Sequence, residues 1–498
     1  MSWYPEDIGV QVDSENNPLV FERVRRTGEL WLQSLVMQEH ANKMTFVSIN
    51  PTTGDTISAY PIMSEEIVGQ KILAAQESYL IWRQYTVTER TEMLTALATI
   101  LRKRKEDFGR LMTLEMGKPI EQSISESEKC AWLCDYYAEH AEHFLAPVPA
   151  LTDAKTSYWT HRPLGTVLGI MPWNFPFWQV IRFAAPALTA GNAVLLKHSP
   201  SVPGCAEALE HIFEEAGYPD GLFTNLVIDL EGTEKVIDHP LIRAVSLTGS
   251  VQAGRSVAAR AGAKIKKCVL ELGGSDPSIV LADADIDNAV SGCRLARTLN
   301  SGQSCVAAKR FVVVDPIREE FEAKLVNAME ATVMGDPLDP SSDIGPLARE
   351  DLRDTLHSQV QRSMRSGAVL LTGGVPPVKP GWWYPPTVLT NVRAGMAAYE
   401  EELFGPVASI LPVRNEEEAI QVANDTAYGL GASIYTKDSA RGEKIAAELI
   451  DAGNCFVNGI VKSDPRLPFG GTKDSGYGTE LSSIGILEFT YPKTIWVK

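Results

Sequence analysis

The spacing of apolar residues is helical in the first part of this chain. From Ser64, a residue type that caps helix N-termini, to His143 the apolar positions recur at helical spacing in a segment rich in Ala, Leu and Glu. The sequence Gly117-Lys118-Pro119 breaks the pattern, since Gly and Pro interrupt helices. This region is therefore predicted to be helical on both sides of the break.

Short apolar runs alternate with helical stretches after this region. The runs predict strands at 165–171, 193–197, 223–228, 244–248 and 267–272. The stretches between them predict helices at 177–190, at 202–216 and from Ser250. A second α/β unit covers about 274–470, with strands near 278–281, 310–314 and 408–412. Short apolar strands separated by helices are typical of an α/β fold with a parallel, doubly wound sheet covered on both faces.

Four residues lie at the ends of these predicted strands. Asn174, Lys197, Gly249 and Glu271 each lie at or just beyond the carboxyl end of an apolar run. Ligands of doubly wound sheets bind at this edge. The pattern therefore predicts a binding site that includes these residues.

Composition and charge narrow the class of protein and of partner. A chain of 498 residues, 44% hydrophobic and 22% charged, is long enough for two or three domains with sizeable cores. The net charge of −17 argues against a nucleic acid or an anionic membrane as partner, because both would repel it. The most apolar stretch, 167–197, is interrupted by Pro172, Asn174, Arg182 and Pro186, so no membrane span is expected.

The N-terminus and the cysteines favour a cytoplasmic protein. The first residues have neither the basic flank nor the apolar core of a secretory signal. The seven cysteines are odd in number and scattered, which predicts reduced thiols and no disulfide framework. Cys130 and Cys134 share a helix face, but no second pair at metal-ligand spacing accompanies them, so no metal site is expected.

Two short motifs carry the candidate chemistry. Glu271 begins the sequence ELGG at the end of a strand, and Cys305 ends the polar sequence NSGQSC. A nucleophile and a base are the minimum for covalent catalysis. Either motif alone is a weak signal, since most cysteines are buried apolar residues.

The two motifs resemble the active-site signature of the NAD(P)-dependent aldehyde dehydrogenase superfamily. The resemblance extends over roughly residues 47–498. Its further motifs, in the family's order, are PWNFP at 172–176, Lys197, LTGS at 247–250, EELFGP at 401–406 and PFGG at 468–471. Within the superfamily, the chain most resembles the bacterial succinate-semialdehyde dehydrogenases.

The resemblance implies three structural parts. A cofactor-binding domain would comprise residues 44–142 and 163–273, and a catalytic domain would comprise 274–484. A small β-arm for oligomerisation would comprise 143–162 and 485–498, which leaves 1–43 as an N-terminal extension. A homodimer or homotetramer is expected from this likeness.

The resemblance implies NAD or NADP as the cofactor, although no G-x-G-x-x-G follows a predicted strand. The segment 249–256 differs from a P-loop at one residue, because Arg255 takes the place of the lysine. A helix N-terminus that faces a pyrophosphate is the better interpretation. Pro200 lies where many NAD-specific members carry a Glu that repels a 2′-phosphate, which leaves NADP use open. The cofactor-binding residues implied are Trp173, Lys197, Gly249, Ser250, Gly254, Leu272, Glu402 and Phe404.

The resemblance also implies the catalytic roles. Cys305, as a thiolate, would attack the aldehyde carbon and form a thiohemiacetal. The side-chain amide of Asn174, together with the backbone N–H of Cys305, would stabilise the oxyanion. After hydride transfer to the cofactor, Glu271 would activate the water that hydrolyses the thioester.

Substrate recognition depends on fewer residues. Arg182 and Ser463 match positions at which succinate-semialdehyde dehydrogenases bind the substrate carboxylate, and a guanidinium can bind a carboxylate bidentately. A second arginine, often found six residues before the cysteine, is Leu299 here. The function favoured is oxidation of succinate semialdehyde to succinate.

Three alternatives stay open. Phe177 and Trp178 also suit a longer or benzylic aldehyde, so the substrate could be an uncharged aliphatic or aromatic aldehyde. An acylating dehydrogenase that passes the thioester to coenzyme A generally lacks the hydrolytic glutamate, so Glu271 counts against it. A catalytically silent binding or structural protein would be free to lose the three catalytic residue types, all of which are present.

Overall fold

The computed structural model describes residues 45–498, so the predicted extension 1–43 lies outside the described residues. A two-stranded sheet of β1 (Thr45–Ile49) and β2 (Thr56–Pro61) comes first. Four helices follow, namely α1 (Glu65–Trp82), α2 (Val87–Lys103), α3 (Lys105–Met116) and α4 (Ile120–Phe144). Ser64 caps α1 by accepting from Ile67 N, and Gly117, with φ 79°, ends α3 at the predicted break.

A six-stranded sheet in the order β17-β9-β8-β5-β6-β7 contains all five strands predicted between 165 and 272. They are β5 (Thr166–Met171), β6 (Ala193–His198), β7 (Phe223–Asn225), β8 (Ile242–Thr248) and β9 (Lys267–Glu271), and all pair in parallel. The connecting helices are α5 (Trp178–Thr189), α6 (Pro203–Glu215), α7 (Leu230–Asp238) and α8 (Val251–Ala263). The predicted α/β class and parallel sheet are confirmed.

A seven-stranded sheet has the order β12-β13-β14-β11-β10-β15-β16, with β12 as its one antiparallel strand. The predicted strands appear as β10 (Asp276–Val280), β11 (Ala308–Val314) and β14 (Val407–Val413). The strands not predicted are β12 (Val369–Thr372), β13 (Thr387–Thr390), β15 (Gly431–Tyr435) and β16 (Asn454–Val457). The helices of this part are α9 (Ile286–Thr298), α10 (Asp315–Glu330), α11 (Glu350–Arg365), α12 (Ala397–Glu400), α13 (Glu416–Asn424) and α14 (Ser439–Glu448).

A three-stranded sheet joins the two segments that were predicted to form a β-arm. β3 (Val148–Pro149) pairs with β4 (Thr156–Pro163), which pairs antiparallel with β18 (Thr490–Val497) along its full length. Two short elements lie just before β18, namely β17 (Gly476–Tyr477), which pairs antiparallel with β9, and α15 (Ser482–Gly485). The part that this sheet plays in assembly stays a prediction.

Helix α5 is buried along its whole length, because it packs between the six-stranded sheet and helices α2 and α4. This position explains why its sequence is apolar on nearly every side. Within residues 45–498, no helix is long and apolar enough to cross a membrane. In the same part of the chain, no group of three or more His, Cys, Asp or Glu side chains is arranged to hold a metal ion.

Candidate active site

Strand register brings the predicted strand-end residues to one edge of the six-stranded sheet. Ile170 of β5 pairs with Lys197 of β6, and Thr248 of β8 pairs with Glu271 of β9. The loop that carries Asn174 follows β5 directly. Because these strands are parallel neighbours, all of these side chains start from the same carboxyl edge.

Cys305 follows a tight turn of left-handed backbone. Asn300 and Ser301 both have φ 54°, and Gly302 has φ 77°. Two consecutive non-glycine residues in this region are uncommon, since each costs about 1–2 kcal/mol. A Cβ at Gly302 would lie 2.4 Å from the carbonyl carbon of Gly405, so this position requires glycine.

Hydrogen bonds to neighbouring segments hold this turn in place. Asn300 Nδ2 donates to the carbonyl oxygen of Asn174 at 2.8 Å and to that of Gln303 at 3.0 Å. Ser301 Oγ accepts from the backbone N–H of Gly345 at 3.0 Å. Strained backbone of this kind persists where the surroundings over-determine it, and it is concentrated at functional sites.

Asn174 lies against the same turn and is buried. Its Nδ2 donates to the carbonyl oxygen of Gln303 at 3.2 Å, which uses one of its two amide protons. Among the described residues, the backbone N–H of Cys305 donates to no group. One amide proton and one backbone N–H are therefore left for a ligand.

A buried ion pair fixes the start of α5, next to the Asn174 loop. Glu126 Oε1 on α4 accepts from the backbone N–H groups of Phe177 and Trp178, each at 2.9 Å. The same carboxylate pairs with Lys118, and both side chains are almost fully buried. Burial lowers the pKa of Lys118, while the charge of Glu126 raises it. The pair ties α4 to the first residues of α5.

Cys305 lines a cavity of about 330 Å³. The other lining side chains include Lys129, Phe175, Trp178, Arg182, Leu299, Val461, Ser463 and Phe469. Burial raises the pKa of Cys305 to about 11, although the charges of Arg182 and Lys309 lower it. Burial therefore disfavours the thiolate form. Nucleophilic attack therefore requires that this proton is removed.

Glu271 is a buried carboxyl, and its Oε1 has no hydrogen-bond partner in residues 45–498. Burial raises its pKa well above the ordinary value; the charge of Arg182 lowers it, and that of Glu480 raises it. Arg182 forms an ion pair with Glu480. A carboxyl with a raised pKa and a free oxygen has the properties of a general base.

The N-terminus of α8 lies at the same sheet edge. Ser250 caps this helix, and its Oγ accepts from Ala253 N at 3.3 Å. A Cβ at Gly254 would lie 2.5 Å from Leu272 Cδ1, so the helix packs closely on the end of β9 only with glycine here. A Cβ at Gly249 would meet only a distant side-chain atom, which leaves room beside the helix N-terminus.

Two buried polar groups at this edge have no partner in the described part of the chain. The ammonium of Lys197 forms no hydrogen bond or ion pair there, and burial lowers its pKa to about 8 while Asp229 raises it. Thr248 Oγ1 is also without a partner there. Buried polar groups are normally paired. These groups beside a helix N-terminus therefore fit a ligand with phosphate and hydroxyl groups, as a dinucleotide has.

The other predicted cofactor residues lie together. Glu402 accepts from Gly274 N at 3.1 Å and forms an ion pair with Lys309 at 3.1 Å. The rings of Trp173 and Phe404 meet edge to face, with centroids 5.7 Å apart. The sequence did not predict Lys309, although it follows the cysteine by four residues.

The two predicted substrate-binding residues have partners that the sequence did not show. Arg182 is only partly available at the cavity wall. It pairs with buried Glu480, its guanidinium carbon lies 4.8 Å from the centroid of the Phe469 ring, and its Nη2 has no hydrogen-bond partner in the described residues. Ser463 Oγ accepts a hydrogen bond from Lys129 Nζ at 2.7 Å. Lys129 lies on α4, and the sequence predicts only that this region is helical. Lysines on helices are usually exposed to solvent, so nothing in the sequence indicates a role for Lys129.

Comparison with known proteins agrees with this geometry. Residues 37–495 match the model of the aldehyde dehydrogenase family. A probable succinate-semialdehyde dehydrogenase [NADP(+)] of Synechocystis sp. is 47% identical over 454 residues, which is 91% of this chain and 100% of that protein. A succinate semialdehyde dehydrogenase [NAD(P)+] of Escherichia coli is 46% identical over 90% of this chain and 97% of its own.

Solved structures show the same likeness. The succinic semialdehyde dehydrogenase of Streptococcus pyogenes, crystallised with NADP+ as the cofactor, superposes with a TM-score of 0.89. The two sequences are 36% identical, and the match covers 91% of this chain and 99% of the other.

Proposed function

The chain belongs to the aldehyde dehydrogenase family, and we propose that it oxidises succinate semialdehyde to succinate with NADP+ or NAD+. The observation that carries this proposal is the cavity that Cys305 shares with Arg182 and Lys129, because it places a nucleophile and two cationic side chains around one space. An ω-carboxylic aldehyde needs both features. The names of the relatives support the same substrate.

The first step assigned is attack by Cys305 Sγ on the aldehyde carbon. Cys305 reacts as its thiolate, after its proton has passed to solvent, and the carbonyl oxygen becomes the oxyanion of a thiohemiacetal. Asn174 Nδ2 and the Cys305 backbone N–H, the two available donors, are assigned to this oxyanion. One such donor typically contributes ~3–4 kcal/mol to the transition state.

The second half of the reaction is hydrolysis. Bound NAD+ or NADP+ supplies the acceptor for the hydride that leaves the thiohemiacetal carbon, which becomes a thioester carbon. Glu271 is assigned to take a proton from the water that attacks this carbon, and Cys305 departs as the leaving group. The raised pKa of Glu271 supports this role, because a weaker acid has a more basic carboxylate.

The residues assigned to the cofactor form two groups. Gly249, Ser250 and Gly254 would present the N-terminus of α8 to the pyrophosphate, and Lys197 would bind the adenosine ribose. Glu402 would hold the nicotinamide ribose, with Trp173, Leu272 and Phe404 packed around the ring. A cytoplasmic location and a homodimeric or homotetrameric assembly belong to the same proposal.

Uncharged aldehydes are the second candidate substrates. Phe175, Trp178 and Phe469 give the cavity an aromatic wall that would accept an aliphatic chain or a ring.

A single assay tests the proposed function. Purified protein is mixed with succinate semialdehyde and NAD+ or NADP+, with and without coenzyme A, and reduced nicotinamide is followed by absorbance. We expect turnover without coenzyme A and a higher kcat/KM for succinate semialdehyde than for butanal. Turnover that requires coenzyme A would indicate an acylating enzyme. No turnover with any aldehyde would favour a silent member of the fold.

A charge placed at Pro200 should change the choice of cofactor. Pro200 is exposed just after β6, three residues beyond Lys197. In Pro200→Glu we expect kcat/KM for NADP+ to fall by about tenfold or more while that for NAD+ changes little, since charges ~4 Å apart near a surface interact by a few kcal/mol. Pro200→Gln is the control for size and backbone. Equal losses with both cofactors would mean that Pro200 lies away from the 2′-phosphate.

A further inference from the structure

We propose that the Lys129 ammonium, together with Ser463 Oγ, is the main anchor for the substrate carboxylate. This inference rests on the proposed function and deepens it. The resemblance assigns this task to Arg182, which pairs with Glu480, whereas Lys129 on α4 lines the same cavity and forms no ion pair in the described residues.

Lys129 is positioned by two contacts at the cavity wall. Its Nζ donates to Ser463 Oγ at 2.7 Å and lies 4.2 Å from the centroid of the Trp178 ring. Both partners also line the cavity. The ammonium is therefore held beside a hydroxyl that can itself donate a hydrogen bond to a carboxylate oxygen.

The charge of Lys129 lacks a counter-ion in the described part of the chain, where no carboxylate oxygen lies within 4.0 Å of its Nζ. Of the other cationic side chains that lie close to Cys305, Arg182 pairs with Glu480 but keeps an Nη2 without a hydrogen-bond partner in the described residues, and Lys309 pairs with Glu402. Burial, followed by the charge of Arg182, lowers the pKa of Lys129 to about 8. A substrate carboxylate would supply the missing negative charge.

The position of Lys129 also accounts for a departure from the family pattern. Leu299, at the place where related enzymes often carry a second arginine, lines the same cavity and brings no charge. Lys129 supplies a positive charge from a different element, the helix α4. The acid-substrate assignment therefore does not need an arginine at position 299.

The test compares two substrates of equal chain length on the purified full-length enzyme. Lys129→Met keeps much of the side-chain volume and removes the charge. We expect kcat/KM for succinate semialdehyde to fall about 10- to 100-fold, mainly through KM, since hydrogen bonds to charged groups contribute ~1.5–3 kcal/mol. Butanal has no carboxylate, so its kcat/KM should stay within about threefold. Lys129→Arg keeps the positive charge, so it should retain part of the preference for succinate semialdehyde over butanal.

Two further variants complete the design. Lys444→Met removes an exposed lysine from α14, outside the lining of this cavity, and should leave both substrates nearly unaffected. Arg182→Ala should impair both substrates, because it leaves Glu480 buried without its partner. If Lys129→Met does not fold, Lys129→Gln is measured in its place, with the melting temperature as the check on folding.

Different failures are distinguishable. A wild-type enzyme that prefers butanal would overturn the proposed function itself. A wild-type preference for succinate semialdehyde that survives in Lys129→Met would overturn this inference alone. Equal losses on both substrates would make Lys129 a residue that shapes the cavity, and a selective loss in Arg182→Ala alone would return the anchor to Arg182.

Discussion

Replacing Cys305 with alanine should abolish dehydrogenase turnover, with a loss of about 10³-fold or more in kcat. The reason is that the acyl group is proposed to be carried on this sulfur atom. Among the cysteines, all of which lie in residues 45–498, Cys305 alone lines the cavity. No second thiol could therefore take over the attack.

The measurement is steady-state reduction of NAD(P)+ by the variant, with cofactor binding followed separately by fluorescence. Cys455→Ala is a matched control, because Cys455 is also partly exposed and burial also raises its pKa to about 11. It should keep near-normal activity. Substantial dehydrogenase turnover in Cys305→Ala would contradict the proposed covalent mechanism.

Replacing Glu271 with glutamine should separate the two halves of the reaction. Hydride transfer precedes the step assigned to this carboxylate, so one equivalent of reduced cofactor should form rapidly at each active site. Steady-state turnover should then fall by about 10²–10⁴-fold, the usual contribution of a general base. Glutamine has nearly the same shape, which keeps the buried site filled.

Rapid mixing would measure the burst, and the mass of the intact protein would show the trapped acyl group. Hydroxylamine, a nucleophile that attacks thioesters without a base, should restore turnover in the variant. If the burst is missing while cofactor binding is normal, Glu271 acts in the first half-reaction. A base would be useful there, because the raised pKa of Cys305 makes its thiol harder to deprotonate.

The first sheet was predictable because its strands are buried on both faces. Such strands have continuous apolar sequences, and the polar residues at their ends predict the edge at which a ligand binds. In the second sheet, β15 starts at Gly431 and β16 starts at Asn454, and both are only four or five residues long. Short strands with small or polar residues lack a clear pattern, so tertiary pairing defines them.

The candidate site could be inferred from the sequence as far as local motifs reach, and the roles of its residues stay predictions. Cys305, Glu271 and the cofactor residues each belong to a short motif in the sequence. The ion pair of Arg182 with Glu480 and the hydrogen bond of Lys129 to Ser463 join residues about 300 positions apart. Contacts of this kind depend on how whole elements pack, and no spacing rule within one segment specifies them.

The buried pair of Lys118 and Glu126 has a consequence for how this sequence can change over generations. Removal of either partner would strand a charge in the interior at a cost of ~3–5 kcal/mol, whereas an apolar pair of similar volume can be neutral. Glu126 also accepts two backbone N–H groups at the start of α5, and an apolar replacement would leave these donors unsatisfied. A single replacement of Lys118 or Glu126 is therefore expected to be strongly destabilising. A double replacement must also provide a new acceptor for the two backbone N–H groups at the start of α5. Descendants of this protein should inherit both residues or lose both together.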